Sequence, residues 1–359
     1  MSNLRIVVIG GGVIGLASAW ELAARGHAVR VFDKGPIGQG ASRAAGGIVS
    51  PLRPWQAHTV VDRLAASSRA LYGDFVKRLI DQSGVDPQYR QSGMVVVGDT
   101  HKHAAQEWAL NTGRDLKWLD RAGLTKLVPD IGRVREGVYL DDIYQVRNPL
   151  LITALERACI KLGVELRPNE AVDTLLKQGL NVTGVRTKNA EICADLVVIA
   201  AGAWSDGLCS ALHARLNVTP VRGQMIWYQD SPERAGRPIV DDGEHYIVTR
   251  RDGVTLVGST VENVGFDQGI TDKALIRLKN KAKNLIPGLG ELTPLGQWSG
   301  LRPGRAHGIP LIGAYPGLDG LFLNTGHFRN GITLAPASVQ MLADRVEGVS
   351  DAEMGVSSL

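Results

Sequence analysis

RIVVIGGGVIGLASAWELAARGHAVRVFD, residues 5–33, decides how the chain is read. After Arg5 comes Ile6-Val7-Val8-Ile9, an apolar, β-branched run of the kind that fills a buried parallel strand. Gly10, Gly12 and Gly15 then satisfy the spacing G-x-G-x-x-G. The first glycine permits a tight bend, the second lets a pyrophosphate approach the backbone, and the third lets the next helix pack against the strand. That helix is expected from Val13 to Arg25, stopped by Gly26. A second strand, Ala28 to Phe32, ends in Asp33, whose carboxylate suits ribose hydroxyls. The motif alone is weak. The strand before it, the helix after it and the acid ending the second strand together indicate a dinucleotide site. Three consecutive glycines would be a costly choice for packing alone. Val13, Ile14 and Lys34 belong to the same expected site.

The bulk properties agree with an enzyme that has a real core. The chain has 359 residues, 44% hydrophobic and 21% charged. That length suits two domains, or one large α/β domain with an inserted sheet. Its 43 glycines exceed the usual ~7% share, and many fall in loops able to approach a ligand closely. The net charge of +4 is mild and no basic stripe carries interleaved aromatics, so no nucleic-acid partner is expected. Cys159, Cys193 and Cys209 have no metal spacing and an odd count. They read as reduced thiols in a reducing compartment, the cytoplasm, and no metal is expected. No uncharged apolar stretch approaches about 18 residues, so no membrane span is expected.

Beyond Asp33 lies a second small-residue segment, Gly35 to Val49. Backbone N–H groups there can face a ligand without side chains intervening. Ala41, Ser42 and Arg43 are placed for the pyrophosphate, and Gly46, Gly47 and Ile48 for the edge of a flat ring. A nicotinamide enzyme needs no second glycine-rich loop so soon after the acid, whereas the longer FAD molecule can use one. Residues 58–82 have helical spacing, and 92–97 and 137–140 read as strands. Polar helices are expected near 101–112 and 121–127, and a helix opened by Pro149 runs to about Leu162. Strands follow at 164–166, 171–177 and 181–193. The buried run 194–205 ends at small residues including Gly202, where a doubly wound fold would hold its cofactor. From about Thr219 to Thr260 the alternation and two Asp-Gly turns describe an antiparallel sheet. A helix at 271–286 and a strand at 296–300 lead to Leu301-Arg302-Pro303-Gly304. The last ordered unit is strand, turn and helix through Gly326, His327, Phe328, Arg329, Asn330, Gly331, Ile332 and Thr333. Its helix N-terminus is a good place to stabilise negative charge on a reduced ring. Ser357-Ser358-Leu359 reads as a frayed tail.

GGGVIG at 10–15, GASRAAGGIVSP at 40–51, GLRPG at 300–304 and GHFRNGITLAP at 326–336 together resemble the D-amino-acid oxidase superfamily of FAD enzymes. Within it they resemble the glycine oxidases of the thiamine-biosynthesis type. The glycine motifs are widely shared among flavoenzymes; GLRPG followed by GHFRNG is far more specific. The likeness runs from the first strand to the last helix.

The resemblance implies a Rossmann-like α/β FAD-binding domain, from residues 1–80, 148–215 and 300–359. A substrate domain with a large antiparallel or mixed sheet takes 81–147 and 216–299. It implies that Arg302 forks onto a substrate carboxylate, that Tyr246 donates its hydroxyl to the same group and that Arg329 lies beside the flavin. Val172 would contact the adenine. A planar guanidinium matches a carboxylate with two parallel hydrogen bonds, which would fix the substrate Cα over the ring. His245 neighbours Tyr246 on a strand, so if one faces the substrate the other does not. Asp33 stands where the family often has glutamate. No cysteine lies near Leu301-Arg302-Pro303, so the FAD is expected to be non-covalent.

The implied reaction is oxidation of glycine, or of sarcosine or a D-amino acid, by hydride transfer from Cα to flavin N5. The imine gives a 2-oxo acid and ammonia, or iminoacetate for thiazole synthesis, and oxygen becomes hydrogen peroxide. Related enzymes are often tetramers, so a homo-oligomer is expected. Three rivals remain open at this point. They are a dehydrogenase of the same fold giving electrons to a quinone or carrier, an NAD-dependent dehydrogenase, and a non-catalytic flavin-binding partner.

Overall fold

The computed structural model describes residues 3–98, 100–209, 215–231, 234 and 236–349. Two large sheets organise it. The first has six strands in the order Leu311–Ala314, Leu321–Thr325, Leu196–Ile199, Arg5–Ile9, Ala28–Phe32 and Glu165–Arg167. Its neighbours are parallel except at one edge, where Leu311–Ala314 runs antiparallel to Leu321–Thr325. Arg5–Ile9 is central and its Ile6-Val7-Val8-Ile9 run is buried, as a strand covered on both faces requires.

Helix Val13–Ala24 packs beside this sheet with the long helices Thr59–Ser83, Asn148–Lys161 and Gly331–Val346. Its apolar face, with Leu16, Trp20 and Leu22 fully buried, joins Leu64, Tyr72, Leu155 and Leu342 in one core. The Trp20 ring meets Phe75 edge to face at 5.2 Å. The other face of the sheet carries a smaller core of Val7, Ile9, Val197 and Leu323. The antiparallel ribbon Val172–Gln178, Asn181–Thr187 and Glu191–Cys193 covers that core.

The second sheet has eight strands. Their order is Gly296–Gly304, Thr219–Gln229, Val254–Gly258, Tyr246–Thr249, Ile239–Asp241, Met94–Val97, Glu136–Leu140 and Lys117–Asp120. It is mixed, because Ile239–Asp241 pairs parallel with Met94–Val97 while the remaining pairs are antiparallel. Helix Asp272–Leu285 buries Leu278, Ala282 and Leu285 against Ile226, Val240 and Val257.

Three elements depart from the sequence expectations. The strand expected to stop at Gly300 continues to Gly304, in unbroken register with Thr219–Trp227. Leu301-Arg302-Pro303 is therefore strand, not turn. Pro303 fits because the strand lies at the sheet edge, where a missing N–H leaves no ladder gap. Lys117–Asp120 was hidden by its polar, mostly exposed sequence, and Leu311–Ala314 by its brevity. The tail at Ser357-Ser358-Leu359 lies outside the described residues. Among the described residues no helix is long and apolar enough to cross a membrane.

Candidate active site

A cavity of about 1060 Å³ runs from the C-terminal ends of the parallel strands to the face of the second sheet. At the first end it is lined by Gly10, Gly12, Val13, Ile14, Asp33, Lys34, Val172 and Gly202. The glycine turn is built for close approach. Gly10 has φ +112°, and any Cβ on it would strike the Ala200 carbonyl. Gly15 sits so near that its Cβ would overlap the Gly10 carbonyl oxygen, so it serves helix packing and does not line the cavity. Helix Val13–Ala24 has no side-chain cap and no acid in its first turn, which leaves its positive end for an anion. Val13 N–H donates to Ser42 Oγ at 2.9 Å, so the Ser42 hydroxyl keeps its own proton for a further acceptor.

Asp33 fixes the turn as well as facing the cavity. Its Oδ2 accepts from Gly11 N–H at 2.7 Å and its Oδ1 from Gly35 N–H at 2.9 Å. Each oxygen retains a second lone pair for a hydroxyl. Lys34 places its Nζ 3.4 Å from the Trp204 ring centroid, and partial burial lowers its pKa.

The middle of the cavity is lined by Ala41, Ser42, Gly46, Gly47 and Ile48 on one side. His327, Phe328, Arg329, Asn330, Gly331 and Ile332 line the other. Helix Gly331–Val346 also begins without a side-chain cap or an acid in its first turn. Thr333 lies just outside the lining and donates to the Ile48 carbonyl at 3.2 Å, tying the two walls together. Arg43 is exposed and does not line the cavity, because the short helix Ala41–Ala44 turns its side chain outward. His327 is buried, with Nε2 2.9 Å from Ser338 Oγ, and burial pushes its pKa down to about 3, so the ring is neutral.

The far end holds Arg302 and Tyr246. The Arg302 guanidinium donates through Nη1 to the Thr260 carbonyl at 3.1 Å and through Nη2 to Ser259 Oγ at 2.7 Å. Burial, with repulsion from Arg329, pushes its pKa down to about 10, which leaves it charged at neutral pH. Tyr246 is 8% exposed, and its hydroxyl lies 3.6 Å from Met225 Sδ. His245 points the opposite way, 3.8 Å from Asp242 and 3.7 Å from Glu244, and is not part of the lining. Arg329 is exposed at the cavity wall.

Several lining residues escaped the sequence reading. Gly223 and Met225 come from the second sheet, Gly300 from its edge strand, and Ser259 from just beyond strand Val254–Gly258. In or next to strands their identities carry no local signal. Trp204 beside Lys34 had its signal in the Ala-Gly-Ala-Trp strand end. Arg53 also lines the cavity and pairs with Asp241 at 3.2 Å, where burial raises the carboxyl pKa to about 6 against the pull of that arginine.

Residues 5–345 match the family model described as FAD dependent oxidoreductase. The chain is similar to a glycine oxidase of Pseudomonas aeruginosa, 42% identical over 96% of this chain and 95% of that protein. It is also similar to the bifunctional protein ThiO/ThiG of Trichormus variabilis, 34% identical over 94% of this chain and 52% of that one. Among solved structures, glycine oxidase from Geobacillus kaustophilus superposes with a TM-score of 0.92 at 28% identity, covering 99% of both chains.

Proposed function

The chain belongs to the FAD-dependent oxidoreductase family, and from that premise we propose that it oxidises glycine or a similarly small amine, sarcosine or a D-amino acid. The observation that carries this reading is the half-buried, charged Arg302 guanidinium facing the same cavity as the Tyr246 hydroxyl. An arginine held by Ser259 and the Thr260 carbonyl is already oriented before a substrate arrives, so less entropy is lost on binding. Its fork takes the substrate carboxylate, and Tyr246 donates to the same group.

The cavity fits FAD. Two uncapped, acid-free helix N-termini face it, and glycines stand where a side chain would close it. Gly10 to Ile14 and Ser42 would hold the diphosphate, Asp33 the ribose, Val172 and the Lys34–Trp204 pair the adenine. Gly46 to Ile48 and His327 to Ile332 would hold the ring, without a covalent link. FAD, when bound, supplies the two-electron acceptor that takes hydride from Cα at N5 and returns the electrons to oxygen as hydrogen peroxide. No strong general base is required of the chain if the amine arrives unprotonated. Neutral His327 and distant His245 agree with that. The product imine is hydrolysed by water to a 2-oxo acid and ammonia, or leaves unhydrolysed as iminoacetate for thiazole synthesis. We assign residues 1–80, 148–215 and 300–359 to the FAD-binding unit and 81–147 with 216–299 to the substrate unit; the six-stranded sheet falls within the first, whereas strand Gly296–Gly304 of the eight-stranded sheet crosses the boundary at 300.

The test is an anaerobic panel of glycine, sarcosine, D-alanine and D-proline against the yellow protein. Loss of flavin absorbance with one of them, and peroxide on readmitting air, is the expected result. Bleaching without peroxide would point to a different electron acceptor, and no bleaching would defeat the reading.

A further inference from the structure

Arg250 follows the strand Tyr246–Thr249 and is 5% exposed. Its Nη1 donates to Gln145 Oε1 at 2.6 Å and its Nη2 to the Gly46 carbonyl at 2.8 Å. Both acceptors are neutral. The charged groups acting on it through space are Arg147 and Arg90, which repel it, and Asp252, which is already ion-paired with Arg147. Burial pushes its pKa down to about 10, so at neutral pH it remains a cation. Among the described residues no carboxylate contacts this guanidinium; a buried cation so placed is costly, and where tethering alone is wanted a neutral donor would do.

The guanidinium stands directly behind a cavity wall. A Cβ on Gly47, whose φ is +71°, would lie 2.7 Å from Arg250 Nη2. A Cβ on Gly46 would lie 2.6 Å from the Tyr246 ring. Gly46 and Gly47 line the cavity, so their backbone separates Arg250 from its interior. In the flavin reading, a substrate held by Arg302 and Tyr246 has its Cα against the ring. The wall touching Tyr246 is therefore beside that ring.

We propose that Arg250 is a positioning residue that holds the Gly46–Gly47 wall and whose uncompensated charge stabilises the negative charge gained by the bound flavin on reduction. The proposal rests on the flavin reading of the cavity. In a low-dielectric interior such a charge acts across one backbone thickness with little screening. A merely structural Arg250 would hold the wall equally well with its charge neutralised.

Gln145→Glu separates the two roles. Gln145 is fully buried, and its Nε2 has no hydrogen-bond partner, so exchanging that amide for an oxygen breaks no bond. The new carboxylate keeps the acceptor for Arg250 and cancels its charge. The expected result is a flavin midpoint potential lower by about 30 mV or more, the two-electron equivalent of a tenfold change, with FAD still bound. Arg250→Met should shift the potential the same way and weaken FAD retention, while Arg250→Lys should stay nearer the wild-type potential. An unchanged potential in Gln145→Glu, or in Arg250→Met should that be the variant that keeps its flavin, overturns the proposal. A wild-type protein that is colourless after addition of FAD fails the flavin reading instead, so the two failures are distinct.

Discussion

The Arg302 guanidinium lies across Gly223, two residues along the neighbouring strand from its own cross-strand partner Val221. A Cβ at 223 would overlap the guanidinium carbon and both terminal nitrogens. Gly223 has no positive φ, so its lack of a side chain serves the arginine rather than the backbone. Gly223→Ala is thus expected to displace the clamp without removing it. KM for the amino acid should rise at least about tenfold, which corresponds to ~1.4 kcal/mol, while FAD binding is kept. A variant with wild-type KM would show that the guanidinium does not need this berth.

Arg302→Ala removes the proposed carboxylate clamp outright. Hydrogen bonds to charged groups contribute about 1.5–3 kcal/mol, and two are at stake, so kcat/KM should fall by about a hundredfold or more. FAD content should stay near wild type because Arg302 stands at the substrate end of the cavity. Arg302→Lys should recover part of the loss, since a point charge attracts a carboxylate but does not match its fork. Steady-state kinetics on glycine, with flavin content from the absorbance ratio, decides between this and a purely structural arginine.

The nucleotide half of the fold was legible because its signals are local. Strand, glycine turn, helix and acid follow one another within residues 5–33, and the structure places strands at Arg5–Ile9 and Ala28–Phe32 with the helix at Val13–Ala24 between them. The opposite faces of His245 and Tyr246 followed from strand alternation alone. What sequence did not disclose comes from non-local pairing. Pro303-Gly304 reads as a turn until Thr219 and Pro220 are seen to pair with it. Gly223, Ser259 and Gly300 meet at the site only because three distant segments fold together. Arg43 looked well placed beside Ser42, but one turn of helix sends neighbours in different directions.

Asp33→Asn tests the acid that ends the second strand. The carboxylate accepts from Gly11 and Gly35 on separate oxygens. An amide offers one acceptor oxygen and turns an NH2 group toward the other N–H, so one of the two bonds must be lost. That bond shapes the glycine turn and, with it, the proposed ribose contact. FAD affinity should fall by about tenfold or more, read by fluorescence of released flavin on dilution, with substrate KM of the flavin-loaded fraction unchanged. Equal affinity would mean that the turn keeps its shape and the ribose its partner without the charge.

His327 makes stability pH-dependent in a stated direction. It is 2% exposed and shares a hydrogen bond with Ser338, and burial carries its pKa from 6.5 to about 3. The folded-state value is depressed, so between pH 6.5 and 3 the unfolded chain binds a proton that the folded chain does not. The associated stability is fully present above pH 6.5 and is lost as pH falls from there toward 3, by at most about 1.4 kcal/mol per pH unit for this one proton. His327→Gln keeps a hydrogen-bonding group for Ser338 and removes the titration. Urea unfolding at pH 7, 6 and 5 should show the wild type losing stability more steeply than His327→Gln, whatever offset the substitution itself introduces. Parallel declines in the two proteins would mean that the imidazole gains its proton within the folded state, and the neutral ring assigned to this wall of the cavity would have to be given up.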